Sequence, residues 1–219
     1  MTVKFNQYWR VCRDADDAYR SFMIKDFIPA INGLGIHTVA GWTVLVGGYS
    51  EIIFEGVSSD LERIESALKD PMYREINKQL LKHVRNYKTK VLVQNGGGHH
   101  YSMEFKKNTV KFNQTWDILW DRKEDYEQFL RGKYLPLMAQ MGIHVAGEWE
   151  VLIGDGPRII LEGRAQNACE LIDELMGEPF RRGKQELRRY VENYESRLLG
   201  FHIQKTKGYK SASYQMVAE

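Results

Sequence analysis

The sequence has little cysteine, no long hydrophobic run and almost no net charge. Two cysteines among 219 residues are too few for a disulfide scaffold, which favours a cytoplasmic protein with reduced thiols. No stretch approaches the roughly 20 apolar residues of a membrane-spanning helix, and the N-terminus lacks the pattern of a signal peptide. A formal net charge of +2 gives no basic footprint for nucleic acid. We therefore expect neither membrane nor nucleic-acid partners.

The sequence also lacks the common catalytic and metal-binding motifs. There is no Cys-x-x-Cys, no His-Glu-x-x-His, no phosphate-binding glycine loop and no Gly-x-Ser-x-Gly. The pair His99-His100 supplies only two candidate metal ligands on a glycine-rich stretch. No metal site and no cofactor are predicted from the residues themselves. The apolar fraction of 43% is ample for a folded core.

An internal repeat organises the chain. Residues 2–7 recur letter for letter as residues 109–114, an offset of 107. The same offset aligns Trp9 with Trp116, and Gly35-Ile36-His37 with residues 142–144. A period of this length makes each copy domain-sized. The predicted organisation is repeat 1 over 1–95, a linker over 96–108, repeat 2 over 109–204 and a polar tail over 205–219.

Each copy has the alternation pattern of strand, helix, two strands, helix and strand, which is the ferredoxin-like βαββαβ plan of an α+β protein. One such unit leaves a face of its sheet uncovered. Two units cover both faces if their sheets pack against each other as a barrel with the helices outside. The sequence therefore predicts an internal pseudo-dimer, and further homo-oligomerisation is left open.

This pattern resembles the dimeric α/β-barrel superfamily, NIPSNAP-like members in particular, as a tandem fusion. The resemblance is carried by Phe27-Ile28-Pro29-Ala30, Gly35-Ile36-His37, Gly41-Trp42, Asp70-Pro71-Met72-Tyr73 and residues 193–199. It implies the fold more than the function, because the relatives include cofactorless monooxygenases, isomerases, haem-handling enzymes and proteins of no known activity.

Strand alternation assigns one face to the helices and one to the barrel lumen. The residues predicted to face the lumen are Lys4, Asn6, His37, Glu55, Asn86 and Lys90, with Lys111, Asn113, His144, Glu162, Asn193 and Arg197 in repeat 2. Lys4 with Glu55, and Lys111 with Glu162, are the expected ion pairs. Trp9, Trp42, Trp116 and Trp149 are expected between sheet and helices. A β-bulge would reverse the assignment after it.

The predicted function is binding of, or catalysis on, a small molecule in this polar pocket, with cofactorless monooxygenase or isomerase-type chemistry. His37, His144, Glu55 and Glu162 are the candidate catalytic residues, since histidine titrates near neutral pH and a carboxylate can take a proton. The candidate ligand-binding residues are Lys4, Asn6, Lys111, Asn113, Asn86 and Asn193, because lysine can hold an oxyanion and asparagine can orient a carbonyl.

Two alternatives remain open. In the first, the chain is a non-catalytic structural, stress or protein-interaction module, and the same polar residues form a network that closes the barrel. In the second, suggested by the resemblance, the protein binds haem, with Asn6, Trp9 and His37 compared with the sites of haem-degrading relatives and His83 as another conceivable ligand.

Overall fold

Both halves of the chain fold as the βαββαβ unit that the repeat predicts. The computed structural model describes residues 2–12, 16–48, 50–95, 101–207 and 212–217; the candidate ligands His99 and His100 lie outside them. Repeat 1 comprises β1 (Val3–Val11), α1 (Asp16–Phe22), α2 (Ile28–Gly33), β2 (His37–Val46), β3 (Ile52–Ser58), α3 (Leu61–Lys69), α4 (Pro71–Leu80) and β4 (Val84–Asn95). Repeat 2 comprises β5 (Val110–Ile118), α5 (Lys123–Phe129), α6 (Leu135–Gln140), β6 (His144–Ile153), β7 (Ile159–Ala165), α7 (Ala168–Met176), α8 (Glu178–Leu187) and β8 (Val191–Lys207), and β9 (Ala212–Met216) follows.

The first helical region of each repeat contains a π-helical turn directly before its proline. Met23–Phe27 joins α1 to α2, and Leu130–Tyr134 joins α5 to α6. Pro29 follows this turn directly, and its missing N–H and its ring are accommodated where the helical hydrogen-bond pattern changes from π to α. The helix therefore continues past the proline as far as Gly33.

The strands close into one antiparallel barrel. The order is β2-β3-β1-β4-β6-β7-β5-β8, and a further pairing of β2 with β8 completes the ring. The two repeats meet at two junctions, β4 with β6 and β8 with β2. The predicted fold class, two ferredoxin-like repeats packed sheet to sheet, is thereby confirmed.

Three apolar clusters stabilise the barrel, one under the helices of each repeat and one in the lumen. Trp9 and Trp116 lie in the helix-side clusters, as predicted. The prediction for Trp42 and Trp149 is wrong, because both lie in the lumen cluster. A bulge in β2 between Thr38 and Ala40, repeated in β6 between Val145 and Gly147, reverses the faces of the residues that follow.

The chain continues as strand beyond residue 204, in the region that the sequence pattern assigns to a polar tail. β8 extends to Lys207, and β9 pairs with that extension. The Tyr214 hydroxyl donates a hydrogen bond to the Thr38 carbonyl oxygen at 3.1 Å, which ties β9 to repeat 1. Within the described residues, none of the helices has the length and apolarity needed to span a membrane.

Candidate functional site

Two lysines and two glutamates meet at the centre of the lumen. Lys4 and Lys111 come from the equivalent strands β1 and β5, and Glu55 and Glu162 from β3 and β7; all four are buried. Each lysine binds both carboxylates. Lys111 Nζ lies 2.5 Å from Glu55 and 3.2 Å from Glu162, and Lys4 contacts both glutamates. We call these four residues the charge cluster, and it joins the two repeats.

Three further side chains complete the hydrogen bonds of the charge cluster. The Tyr101 hydroxyl, from the segment between the repeats, donates to Glu55 at 2.6 Å and lies 3.2 Å from Glu162. Arg164 donates to Glu162 from Nε at 3.1 Å and from Nη2 at 3.0 Å. Trp42 Nε1 donates to Glu55 at 3.0 Å. Both carboxylates thus have several charged or polar donors in a site closed to water.

The electrostatics keep both carboxylates ionised. Burial raises the pKa of Glu55, but the nearby Lys111 and Lys4 outweigh it, and the pKa lies well below its usual range. Burial also raises the pKa of Glu162, and Lys111 and Lys4 again outweigh this effect and lower it. Burial, reinforced by the two glutamates, raises the pKa of Tyr101 well above its ordinary value, so its hydroxyl stays a neutral donor. Such carboxylates are poor proton acceptors.

The two luminal tryptophans, Trp42 and Trp149, occupy equivalent positions in the two repeats but differ in their hydrogen bonds. Lys111 Nζ lies 4.5 Å from the Trp42 ring centroid, and Lys4 Nζ lies 4.1 Å from that of Trp149. Trp42 Nε1 donates to Glu55, whereas the buried Trp149 Nε1 has no acceptor among the described residues. The chain therefore provides a matched pair of residues that differ by one hydrogen bond.

Replacing Trp42 with phenylalanine is expected to destabilise the protein more than the same change at Trp149. Both changes remove an indole of similar burial, but only Trp42→Phe removes a hydrogen bond to a carboxylate, worth about 1.5–3 kcal/mol. Urea denaturation of the two variants measures the difference in unfolding free energy. Equal losses, or a larger loss for Trp149→Phe, would show that the indole hydrogen bond is not significant.

The predicted histidines and asparagines are dispersed. His37 and His144 are the first residues of β2 and β6 and are exposed, in contrast to Glu55. Asn86 and Asn193 are exposed and have positive φ values of 55° and 53°, a backbone conformation that asparagine tolerates better than most residues. Their recurrence in both repeats is therefore explained by the backbone.

The remaining predicted residues, Asn6 and Asn113, lie on the luminal strand faces. Asn6 stands opposite Glu55 of β3 in the strand register, and Asn113 opposite Glu162 of β7. The amide oxygens of both asparagines are buried without a partner among the described residues. They extend the polar lumen beyond the charge cluster.

A cleft of about 560 Å³ opens in repeat 2 beside β6, between the sheet and the α5–α6 helical region. We call it the repeat-2 cleft. Leu130, Leu135 and Leu161 supply apolar walls, and the exposed His144 and Arg131 lie at its edge. The residues that complete the lining are Gln94, Asn95, Val145, Ala146, Gly147 and Glu148. Apolar walls with a few polar groups are typical of small-molecule sites.

Glu148 is the ionisable group in the wall of this cleft. Its Oε1 accepts hydrogen bonds from the Tyr126 hydroxyl at 3.0 Å and from Asn95 Nδ2 at 3.3 Å. Trp116 Nε1 donates in turn to the Tyr126 oxygen at 3.1 Å. Burial raises the pKa of Glu148 above its ordinary value, although the two hydrogen bonds oppose the shift. Unlike the glutamates of the charge cluster, Glu148 has no ion pair with a lysine or arginine within the part of the chain that the structure describes, and it can therefore exchange a proton more readily.

The equivalent position in repeat 1 has no carboxylate and is covered by the chain itself. Gly41 stands where repeat 2 has Glu148, and a side chain added at Gly41 would meet Ile203 of β8 at 3.1 Å. Tyr214 and Met216 of β9 pack against the same core. This carboxylate and the cleft beside it thus have no counterpart at the equivalent position among the described residues of repeat 1.

Sequence reasoning missed Tyr101, Arg164 and Glu148. Tyr101 lies in the segment predicted as a linker, and Arg164 replaces Val57 of the first repeat. The change from Gly41 to Glu148 between the repeats was the available signal, because a carboxylate that appears in only one copy at a buried strand position needs a specific partner.

The histidines fit a haem group poorly: the ring of the buried His202 is stacked on Tyr19 at a centroid distance of 5.8 Å, and the predicted ligands are exposed or packed against other side chains. Haem iron needs an axial histidine, thiolate, methionine or tyrosine inside its pocket. His37 and His144 are exposed, and the His83 ring lies against Phe22 at a centroid distance of 5.3 Å. The Tyr126 hydroxyl is already hydrogen-bonded to Glu148.

Comparison with solved structures places the fold among dimeric α/β-barrel proteins. A candidate monooxygenase from Fusobacterium nucleatum is 8% identical, with a TM-score of 0.63, over 98% of this chain and 95% of that one. A chlorite dismutase variant from Candidatus Nitrospira defluvii is also 8% identical, with a TM-score of 0.63, over 91% of each chain. A NIPSNAP family protein from Agrobacterium tumefaciens is 12% identical over 43% of this chain and 94% of that chain, with a TM-score of 0.36.

No protein-family model matches the sequence, and no curated protein matches it. The structural similarity establishes the class: the chain has the dimeric α/β-barrel fold, with both halves in one polypeptide.

Proposed function

We propose that the protein binds a small organic molecule in the repeat-2 cleft and acts on it by proton transfer through Glu148. The observation that carries the proposal is a half-buried carboxylate of raised pKa in the wall of a cleft of about 560 Å³. A general base works best when its pKa lies near the working pH, and burial moves Glu148 in that direction.

The chemistry follows from the cleft lining. The leucine side chains favour an apolar body, and Glu148 accepts a proton from a hydroxyl or an activated C–H of the ligand. Tyr126 and Asn95 hold the carboxylate in place and stabilise its ionised form. Return of the proton at another atom is an isomerase-type reaction. In the cofactorless monooxygenase alternative, the carbanion left by C–H deprotonation adds to dioxygen, Glu148 returns the proton to the resulting peroxide, and loss of water leaves a carbonyl group on the ligand.

In this proposal the charge cluster is structural. Glu55 and Glu162 are held ionised by buried cations, and so we assign them, with Lys4 and Lys111, to closure of the barrel rather than to catalysis. This retains the network interpretation for these four residues and moves the catalytic carboxylate to Glu148. His144 remains a candidate contact for ligand at the edge of the cleft.

The proposal predicts that filling the repeat-2 cleft abolishes ligand binding. The probe is 2-naphthol, which has an apolar body and one ionisable hydroxyl and whose fluorescence reports its hydrogen bonding. Leu135→Trp is expected to weaken binding roughly tenfold or more, because the indole occupies the cleft. Gln140→Trp, on the exposed side of the same helix, is the control.

Glu148→Gln separates binding from proton transfer in the same assay. In wild-type protein, photoexcited 2-naphthol in the cleft should transfer its proton to Glu148 increasingly as the pH rises through the raised pKa of Glu148, because the ionised carboxylate is the acceptor. The glutamine variant should bind without that pH-dependent change. If Leu135→Trp binds as well as Gln140→Trp, the cleft is not the site. If Glu148→Gln retains the pH-dependent change, Glu148 is not the base.

A further inference from the structure

A second group of polar residues lies in the lumen and is not used by the repeat-2 cleft. Lys90 of β4 and Arg197 of β8 occupy the same position in the two repeats, 107 residues apart. In the strand register, Asn6 stands opposite Lys90 and Asn113 opposite Arg197. Residues opposite each other in antiparallel strands share a face of the sheet. Two cations and two amides therefore face the lumen as a pseudo-symmetric set.

The cations of this set exceed the buried negative charge near them. Glu51, 2% exposed, binds Arg197 Nη1 at 2.8 Å and Lys88 Nζ at 3.1 Å. Lys90 has no ion pair within the described residues. The other carboxylates nearby, Glu195 and Asp155, are exposed. Burial, together with Lys88 and Arg197, lowers the pKa of Lys90, as expected for a cation whose charge is not compensated.

Asn6 supplies an independent observation. It is 6% exposed, its Oδ1 has no partner, and its Nδ2 lies 3.5 Å from the Tyr8 oxygen. If the amide is turned end for end, the Tyr8 hydroxyl can donate to Oδ1, and Nδ2 becomes free to donate into the lumen. This orientation leaves neither group unsatisfied once an acceptor occupies the lumen beside Lys90.

We propose that the lumen beside Lys90 and Arg197 is a binding site for a small oxyanion, a phosphate or a carboxylate. The guanidinium and the ammonium neutralise its charge, and the Asn6 amide donates to one of its oxygens. The ligand would lie on the pseudo-twofold axis between the repeats. The site is separate from the repeat-2 cleft and does not depend on the function proposed for it.

The test is titration of inorganic phosphate, and separately of succinate, into the 219-residue chain at constant ionic strength set with chloride. Calorimetry and the melting temperature give the response. Binding of either anion is expected in wild-type protein and in Lys90→Arg, and Lys90→Gln should weaken it roughly tenfold or more. Lys82→Gln, which removes an exposed lysine, is the control for net charge.

The two anions distinguish the source of the oxyanion. Preference for phosphate indicates a phosphorylated ligand, and preference for succinate a carboxylic acid. Leu135→Trp, which fills the repeat-2 cleft, should leave anion binding unchanged. Equal binding by wild-type protein and Lys90→Gln, or no effect of either anion beyond that of chloride, overturns the proposal.

Discussion

Replacing Glu55 with alanine is expected to reduce the unfolding free energy by about 3–5 kcal/mol, the usual cost of removing one partner from a buried ion pair. The change leaves Lys4 and Lys111 with Glu162 as their shared carboxylate and leaves the Trp42 and Tyr101 donors without this acceptor. For a chain of this length the melting temperature should fall by roughly 6–20 °C. Urea and thermal denaturation measure both quantities.

Two variants control the Glu55→Ala experiment. Glu65→Ala removes an exposed carboxylate paired with Lys69 and should leave the stability almost unchanged, because solvent screens an exposed ion pair. The double variant Glu55→Ala with Lys111→Ala restores the charge balance and should lose less stability than the sum of its single changes. Additive losses would show that Glu55 and Lys111 are not coupled.

The stability of the protein is expected to depend on pH because folding shifts the pKa of Glu55. The pKa of Glu55 is lower in the folded protein than its ordinary value of 4.5. The stabilisation is therefore fully present above that ordinary value and is lost as the pH falls through the folded-state pKa. Glu55→Gln should lack this component of acid denaturation. If the denaturation midpoints of wild-type protein and Glu55→Gln fall equally as the pH is lowered, the lowered pKa of Glu55 does not contribute to stability.

Tyr101→Ala is expected to cost about 3–5 kcal/mol, as other large-to-small changes of buried aromatic residues do. The side chain is 3% exposed, donates to Glu55, and contributes a ring whose centroid lies 3.9 Å from Lys4 Nζ. Tyr101→Phe keeps the ring and should lose only the hydrogen bond, about 1.5–3 kcal/mol. Chemical denaturation measures both losses.

Met103→Ala, two residues along and exposed, is the control for the segment between the repeats. If Tyr101→Ala lowers the unfolding free energy as little as Met103→Ala does, this segment only connects the two repeats. The expected large difference would show that the segment is part of the barrel interior, which holds the two repeats together.

The sequence was sufficient to predict which residues form the charge cluster, but not which lysine binds which glutamate. Alternation along β1 and β3 correctly placed Lys4 and Glu55 on the luminal face, since neither strand has a bulge between these positions and its start. The pairs were expected within each repeat. In the structure each lysine binds both glutamates, because barrel closure also joins Lys4 to Glu162, 158 positions away, and Lys111 to Glu55, 56 positions away.

The alternation of residues along β2 and β6 assigned Trp42 and Trp149 to the wrong face of the sheet, and the cause is local. A single bulge near the start of each strand turned Trp42 and Trp149 into the lumen, and no residue type in these segments marks a bulge unambiguously. The histidines before the bulges lie at strand ends and are exposed. The expectation that they join the buried carboxylates in one site therefore remains without structural support, whereas Glu148, which follows the bulge, lines the cleft.

The sequence by itself determined the duplication, the order of strands and helices, and the segregation of polar residues on β1 and β3, because these depend on periodicity and on the chemistry of neighbouring residues. Only the tertiary structure decided which residues share a site. The insertion of Tyr101 into the lumen, the covering of Gly41 by Ile203 and the open cleft beside Glu148 all depend on packing between distant segments, and that packing makes two similar repeats unequal.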